Sequence, residues 1–205
     1  MLKIRSLLGM SALLALAPVA HAGVAWNEAT NGDFSDDGLA PTFVALALGS
    51  NEIRGASGDL FGGGPDLDYF RITIPVGAVL SSITVLAGTT PPTLAFMGIQ
   101  AGTQVTTNSA GPLLGYILYE MNDIGRDILP VMGEDLNTIG FTAPLPSGDY
   151  AFWIQDYDSG ASPYQFDFTV TAVPEPASAL MLALGVAGLG GLHARRRRSA
   201  ASAAA

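Results

Sequence analysis

Carboxylate oxygen is almost the only chemistry that the middle of this sequence offers. The run Asp33-Phe34-Ser35-Asp36-Asp37-Gly38 sets side-chain oxygens at alternate positions, Asp33, Ser35 and Asp37, ahead of a glycine. That is how a Ca²⁺-binding loop opens. Asp66 and Asp68 stand two residues apart, as do Asp156 and Asp158, and either pair is an expected donor to complete such a loop. An EF-hand is excluded, because its twelfth position, which must carry a bidentate glutamate, is Val44 here. The competing reading makes these aspartates turn formers and solvated surface charge, since Asp readily hydrogen-bonds its own backbone in turns. The same acids raise the alternative of a glycan hydrolase. That chemistry needs two carboxyl groups roughly 5–9.5 Å apart across a cleft, however, and neighbouring acids on one turn supply no cleft.

Other chemistries are excluded by residue type. The histidines are His21 and His193, the sole lysine is Lys3, and there is no cysteine. From Gly23 to Val173 the chain therefore has no imidazole, amine or thiol side chain. Ser-His-Asp and Cys-His catalysis and zinc sites of His or Cys ligands are ruled out there. Gly62-Gly63-Gly64 lacks the lysine and the following helix of a phosphate-binding loop. Three arginines face 17 acids over the same stretch, a net charge of −14, which repels nucleic acid and favours cations. We expect a non-enzymatic domain that binds no nucleic acid, with Ca²⁺ as its candidate cofactor. Trp153 is a candidate for stacking on a sugar ring, as exposed aromatics do at binding sites. The alternative is that a loop or a second sheet covers it.

The elements that must position these groups read as strands. Phe70, Ile72 and Ile74 share one face of Asp68–Ile74, and Ile83 and Val85 share a face of Ser82–Val85. Tyr150, Phe152 and Ile154 line up with Trp153 opposite, and Phe166, Phe168 and Val170 alternate with polar residues. Further strands are expected at Phe43–Leu48, Thr93–Gln100, Tyr116–Tyr119 and Thr138–Phe141. Proline- and glycine-rich turns separate them, as at Pro75-Val76-Gly77 and Pro146-Ser147-Gly148-Asp149. No long segment has helical periodicity. The expected fold is all-β, a single β-sandwich or jelly roll over residues 23–172.

Both ends read as targeting segments. Lys3 and Arg5 precede the apolar run Leu7–Ala17, Pro18 breaks it, and Ala20-His21-Ala22 offers small residues at the signal-peptidase positions. Residues 1–22 are thus expected to be a signal peptide helix, handled by the Sec machinery and cut by signal peptidase after Ala22. At the other end Ala177–Leu192 is an uncharged apolar run of 16 residues. As a helix it spans about 24 Å, a little short of a ~30 Å hydrocarbon core. Arg195, Arg196, Arg197 and Arg198 follow, and by the positive-inside rule they hold the C-terminus in the cytoplasm. The signal peptide demands the same orientation. Residues 200–205 are expected to be a disordered end.

Ahead of the apolar run, Pro174-Glu175-Pro176 keeps the chain extended, as a processing protease requires of its substrate. This strip, the Gly/Ala/Leu-rich segment and the arginine cluster together resemble the PEP-CTERM sorting signal of Gram-negative bacteria, over residues 173–199. The resemblance implies a protein tethered in the inner membrane, processed near the motif by an exosortase, and moved to the cell surface or the exopolysaccharide matrix. It makes Pro174, Glu175 and Pro176 recognition residues. An alternative is a protein that stays anchored, unprocessed, in the inner membrane. The middle, through Asp66–Phe70, Ile74–Gly77, Leu145–Tyr150 and Tyr164–Val170, resembles the bacterial pre-peptidase C-terminal domain, which implies a small jelly-roll-like accessory module.

Overall fold

The computed structural model describes residues 23–58, 66–91, 95–156, 160–173 and 184–185. Nine strands build two sheets: β1 Gly23–Asn27, β2 Thr42–Phe43, β3 Gly49–Gly58, β4 Asp68–Ile74, β5 Ala78–Val85, β6 Ala95–Ala101, β7 Gly115–Tyr119, β8 Gly148–Asp156 and β9 Ala161–Ala172. Two one-turn helices accompany them, α1 Glu28–Asn31 and α2 Leu129–Met132. One sheet has the order β1-β3-β9-β5 and the other β2-β4-β8-β6-β7. The protein is an all-β sandwich.

Strand parity accounts for the core. Tyr164, Phe166, Phe168 and Val170 of β9 are buried, and so are Phe70, Ile72 and Ile74 of β4 and Tyr150, Phe152 and Ile154 of β8. The two sheets meet ring on ring: Phe168 packs edge-on against Phe70 and Phe152, with centroids 5.8 and 5.2 Å away. In β5 the buried residues are Ala78, Leu80, Ile83 and Val85, which a strict period of two would not place on one face. A register shift between Leu80 and Ser82 inserts the extra residue that brings Ile83 back to the core. On β7, Gly115 is required by close approach, because a Cβ there would strike the Met132 carbonyl at the end of α2.

The five-stranded sheet is covered on its outer face as well. Tyr69, Phe96, Val105, Leu113, Ala151 and Trp153 form a second apolar cluster beneath the segment that follows β6. Trp153 is 9% exposed, stacked on Tyr69 at 5.9 Å and edge-on to Phe96 at 4.8 Å, and its Nε1 has no hydrogen-bond partner. Its ring faces are therefore taken up by protein, and stacking on a sugar there would first require the covering segment to lift.

The strong alternations at residues 68–74, 82–85, 150–155 and 165–171 all fall within strands, and those at 93–100 and 116–119 overlap β6 and β7. Two expectations need correction. Residues 43–48 are strand only at Phe43, and the long neighbouring strand is β3, which contains one large apolar residue, Ile53. Residues 138–141 form no strand. They are clipped to the fold by backbone bonds from Ile139 and Gly140 to the carbonyls of Leu113 and Leu114. The expected signal peptide lies outside the described residues, and so does the apolar tail apart from Leu184 and Gly185. Among the described residues no helix is long and apolar enough to cross a membrane.

Candidate functional site

Three carboxylates converge at one edge of the sandwich. Glu28, Asp33 and Asp68 each offer an oxygen, and these oxygens all lie within 4.8 Å of one another. The sequence brings them together through a tight loop and one strand. Asn27 caps α1 through its side chain, which accepts from the Ala29 N–H, and Gly32, at φ 95°, ends the helix. Trp26 donates from Nε1 to the Gly32 carbonyl and stacks on Phe34 at 5.4 Å. The loop is thereby closed so that Glu28 and Asp33 sit on the same side.

Glu28 is held rigidly. One of its carboxylate oxygens accepts the Phe34 N–H at 3.1 Å and the other accepts the Ala56 N–H of β3 at 2.8 Å. Gly55 makes this approach feasible, because a Cβ there would come 2.8 Å from the Glu28 carboxyl carbon and collide with the Tyr164 hydroxyl. Asp68 opens β4 with the same parity as Phe70, Ile72 and Ile74, so it points inward and is 0% exposed. Neither of its oxygens has a hydrogen-bond partner, and the nearby buried hydroxyl of Tyr164 has none either. Glu28 and Tyr164 stand near enough to Asp68 to influence its titration without meeting it in hydrogen-bond geometry.

Electrostatics follow from that crowding. Burial, then the Glu28 charge, push the Asp68 carboxyl up to about 9. Burial raises Glu28 to about 7, with the Asp33 charge adding to it against the two backbone N–H bonds that hold the carboxylate. Asp66, beside the cluster, is raised to about 6 by burial and by the charges of Asp33 and Asp36. Buried among these acids, Tyr164 is driven well above the usual phenol value. A surface pocket of about 310 Å³, lined by Glu28, Arg54, Gly55 and Tyr164 among others, opens onto this edge.

Of the residues expected to bind Ca²⁺, Asp33 and Asp68 join the cluster and Asp66 flanks it. Asp156 is buried at the end of β8 and is not part of the cluster, and Asp158 lies outside the described residues. Ser35 and Asp37 are spent on a turn: the Ser35 hydroxyl accepts the Asp37 N–H at 3.1 Å, and the Asp37 carboxylate accepts the Leu39 N–H at 2.9 Å. Sequence reasoning did not include Glu28, which follows no spacing rule with respect to Asp68. Asp68 itself had a readable sign, an acid at a position whose strand parity is otherwise apolar. Chemically, the arrangement suits either a shared proton or a hard cation. It does not suit an acid that must touch a polymeric substrate, because Asp68 has no exposed surface.

Comparison with curated proteins and with solved structures gives no match. The resemblance of the middle to the pre-peptidase C-terminal domain accordingly rests on its short sequence segments alone. A family model does match the end of the chain: residues 172–198 carry the PEP-CTERM protein-sorting motif, the mark of an exported, membrane-passing protein that an exosortase processes.

Proposed function

We propose that this protein is a non-enzymatic component of the cell surface or exopolysaccharide matrix. It is exported, held in the inner membrane by its tail with the arginines cytoplasmic, and cut near Pro174-Glu175-Pro176 to release an acidic β-sandwich. The observation that carries the reading is the sorting motif over residues 172–198. Its position supports the reading too. Strand β9 ends at Ala172, and the Val173 N–H still bonds the Gly77 carbonyl at 2.7 Å. The motif thus begins at the end of the last described strand, and a cut within or beyond it removes none of the nine strands. The absence of imidazole, amine and thiol side chains between Gly23 and Val173 supports a binding or structural role for the sandwich.

Replacing Pro174, Glu175 and Pro176 together by alanine tests this in the native host. The expected outcome is that full-length precursor accumulates in the inner-membrane fraction and most of the surface form disappears. Unchanged distribution of the alanine variant would refute exosortase processing. A parent protein that already sits in the membrane at full length would establish permanent anchoring instead. Cleavage of host exopolysaccharide by the purified protein would replace the structural role with hydrolysis.

A further inference from the structure

We propose that Glu28, Asp33 and Asp68 form a binding site for a hard divalent cation, Ca²⁺ in the first place, which joins the segment after Gly23 to both sheets of the sandwich. The proposal is independent of the sorting reading. Two observations carry it. The first is geometric. Two ligands on opposite sides of a Ca²⁺ ion bound at about 2.3–2.6 Å stand roughly 4.6–5.2 Å apart. Three carboxylate oxygens within 4.8 Å of one another therefore fit within one coordination sphere. The second is Asp68, fully buried beside the other two acids, with both oxygens lacking a hydrogen-bond partner. Buried polar groups are paired in folded proteins, and a buried carboxylate without a partner is costly unless it is neutralised or coordinates a metal.

Ca²⁺ fits better than its competitors on chemical grounds. All three donors are hard carboxylate oxygens, and no nitrogen or sulfur is at hand to favour a transition metal. Mg²⁺ keeps several waters and demands near-octahedral geometry, whereas Ca²⁺ accepts irregular all-oxygen shells. Asp68, sealed from solvent, suits an ion that sheds water readily. Asp33 is exposed and Glu28 half-buried, so the site has an open side through which an ion enters and on which water completes the shell.

The connections of the three donors make the ion structural. Glu28 is tied to β3 through the Ala56 N–H and to the following loop through the Phe34 N–H, while Asp68 begins β4 in the opposite sheet. A bound ion would cross-link these three parts.

The test uses the full-length protein purified in detergent and stripped with chelator. Ca²⁺ at a hundredfold above its Kd is expected to raise Tm by about 5–10 °C, and Mg²⁺ at the same concentration to do less. Tb³⁺ should bind at the same site and luminesce on excitation of tyrosine, with Tyr164 as the nearby donor. Two variants separate binding from folding. Asp33→Ala alters an exposed side chain and should weaken Ca²⁺ affinity by about tenfold or more. Asp68→Asn puts a neutral amide of the same shape in place of the buried carboxyl, so the metal-free variant should melt no lower than the metal-free parent yet no longer respond to Ca²⁺. A parent whose melt is unmoved by millimolar Ca²⁺ would overturn the proposal and leave Asp68 as a neutral, proton-sharing acid. A response of parental strength in either variant would overturn it too.

Discussion

With chelator present, the protein is expected to become less stable as the pH is raised from about 5 to about 9, which is the reverse of ordinary acid denaturation. The direction follows from Asp68. In the unfolded chain its carboxyl titrates at the model value of 3.8, and in the folded protein burial and the Glu28 charge hold the proton up to about 9. Between those values the native state binds more protons than the unfolded state, so stability is fully present on the acid side and is lost as the pH rises through the folded value. Glu28, at about 7, and Asp66, at about 6, act in the same direction and finish earlier. The slope approaches about 1.4 kcal/mol per pH unit for a group protonated only when folded. Between about pH 5 and 9 Asp68 alone thus contributes up to about 5 kcal/mol, comparable with a typical total stability of about 5–15 kcal/mol.

General repulsion in a domain of net charge −14 pulls the same way, so a control is needed. Asp68→Asn should flatten most of the profile, whereas Glu134→Gln, which removes one charge from an exposed position, should leave it nearly unchanged. Urea melts at about pH 5, 7 and 9 read the difference. A metal-free stability that climbs with pH, or parallel profiles for Asp68→Asn and Glu134→Gln, would contradict the geometry of the cluster.

Phe70→Ala is expected to cost about 3–5 kcal/mol, a large share of a typical total stability of about 5–15 kcal/mol. Phe70 is 0% exposed and sits where three parts of the molecule meet. Its ring stacks on Phe152 at 5.0 Å and 8° within its own sheet and meets Phe168 of the other sheet edge-on at 5.8 Å. It also packs against Phe34 of the loop carrying Asp33, at 5.1 Å. Truncation removes burial and these ring contacts, the latter about 0.5–1.5 kcal/mol per pair, and leaves a cavity. Phe43→Ala is the informative contrast. Phe43 is 47% exposed and lies under the Arg71 guanidinium at 4.8 Å, a contact of about 0.5–1 kcal/mol at an exposed site. The urea midpoint should collapse for the first variant and barely move for the second. Comparable effects would mean that the sheets do not close around Phe70.

What the sequence reveals of this fold depends on whether a strand's side chains carry the pattern. β4, β8 and β9 alternate large apolar and smaller or polar residues, so their faces can be read directly. β3 cannot be read so, because its ten residues are mainly glycine, serine, alanine and polar groups. It is strand because its backbone pairs residue by residue with β9 and because Asn51 bonds the carbonyls of Ala47, Gly49 and Phe168. β1 is five residues long and finds its place through parallel pairing with β3, a long-range partner that local pattern does not announce. Trp153 is legible as lying opposite Tyr150 and Phe152. That its face is covered depends on Val105 and Leu113, in a segment with no strong period.

The acidic site divides in the same way. Residue type alone shows that carboxylates dominate the chemistry available between Gly23 and Val173, and Asp33 and Asp68 stand out by spacing. The parity of Asp68 with Phe70 places it inside rather than on a surface turn, an inference available from the strand pattern. Glu28 joins only through the closure of the loop by Trp26, Asn27 and Gly32, which is a tertiary outcome. Ser35 and Asp37 share the spacing of Asp33, but their oxygens are used in local turn bonds of the kind that compete with any ligand for Asp and Ser.

The address written at the two ends of the chain is tested most directly by intact-mass spectrometry of the protein recovered from the cell surface and the medium. The account predicts a species that begins at Gly23 and ends within a few residues of Pro174–Pro176, without the arginine cluster. An external species that still carries Met1–Ala22, or one that retains Arg195–Arg198, would contradict it.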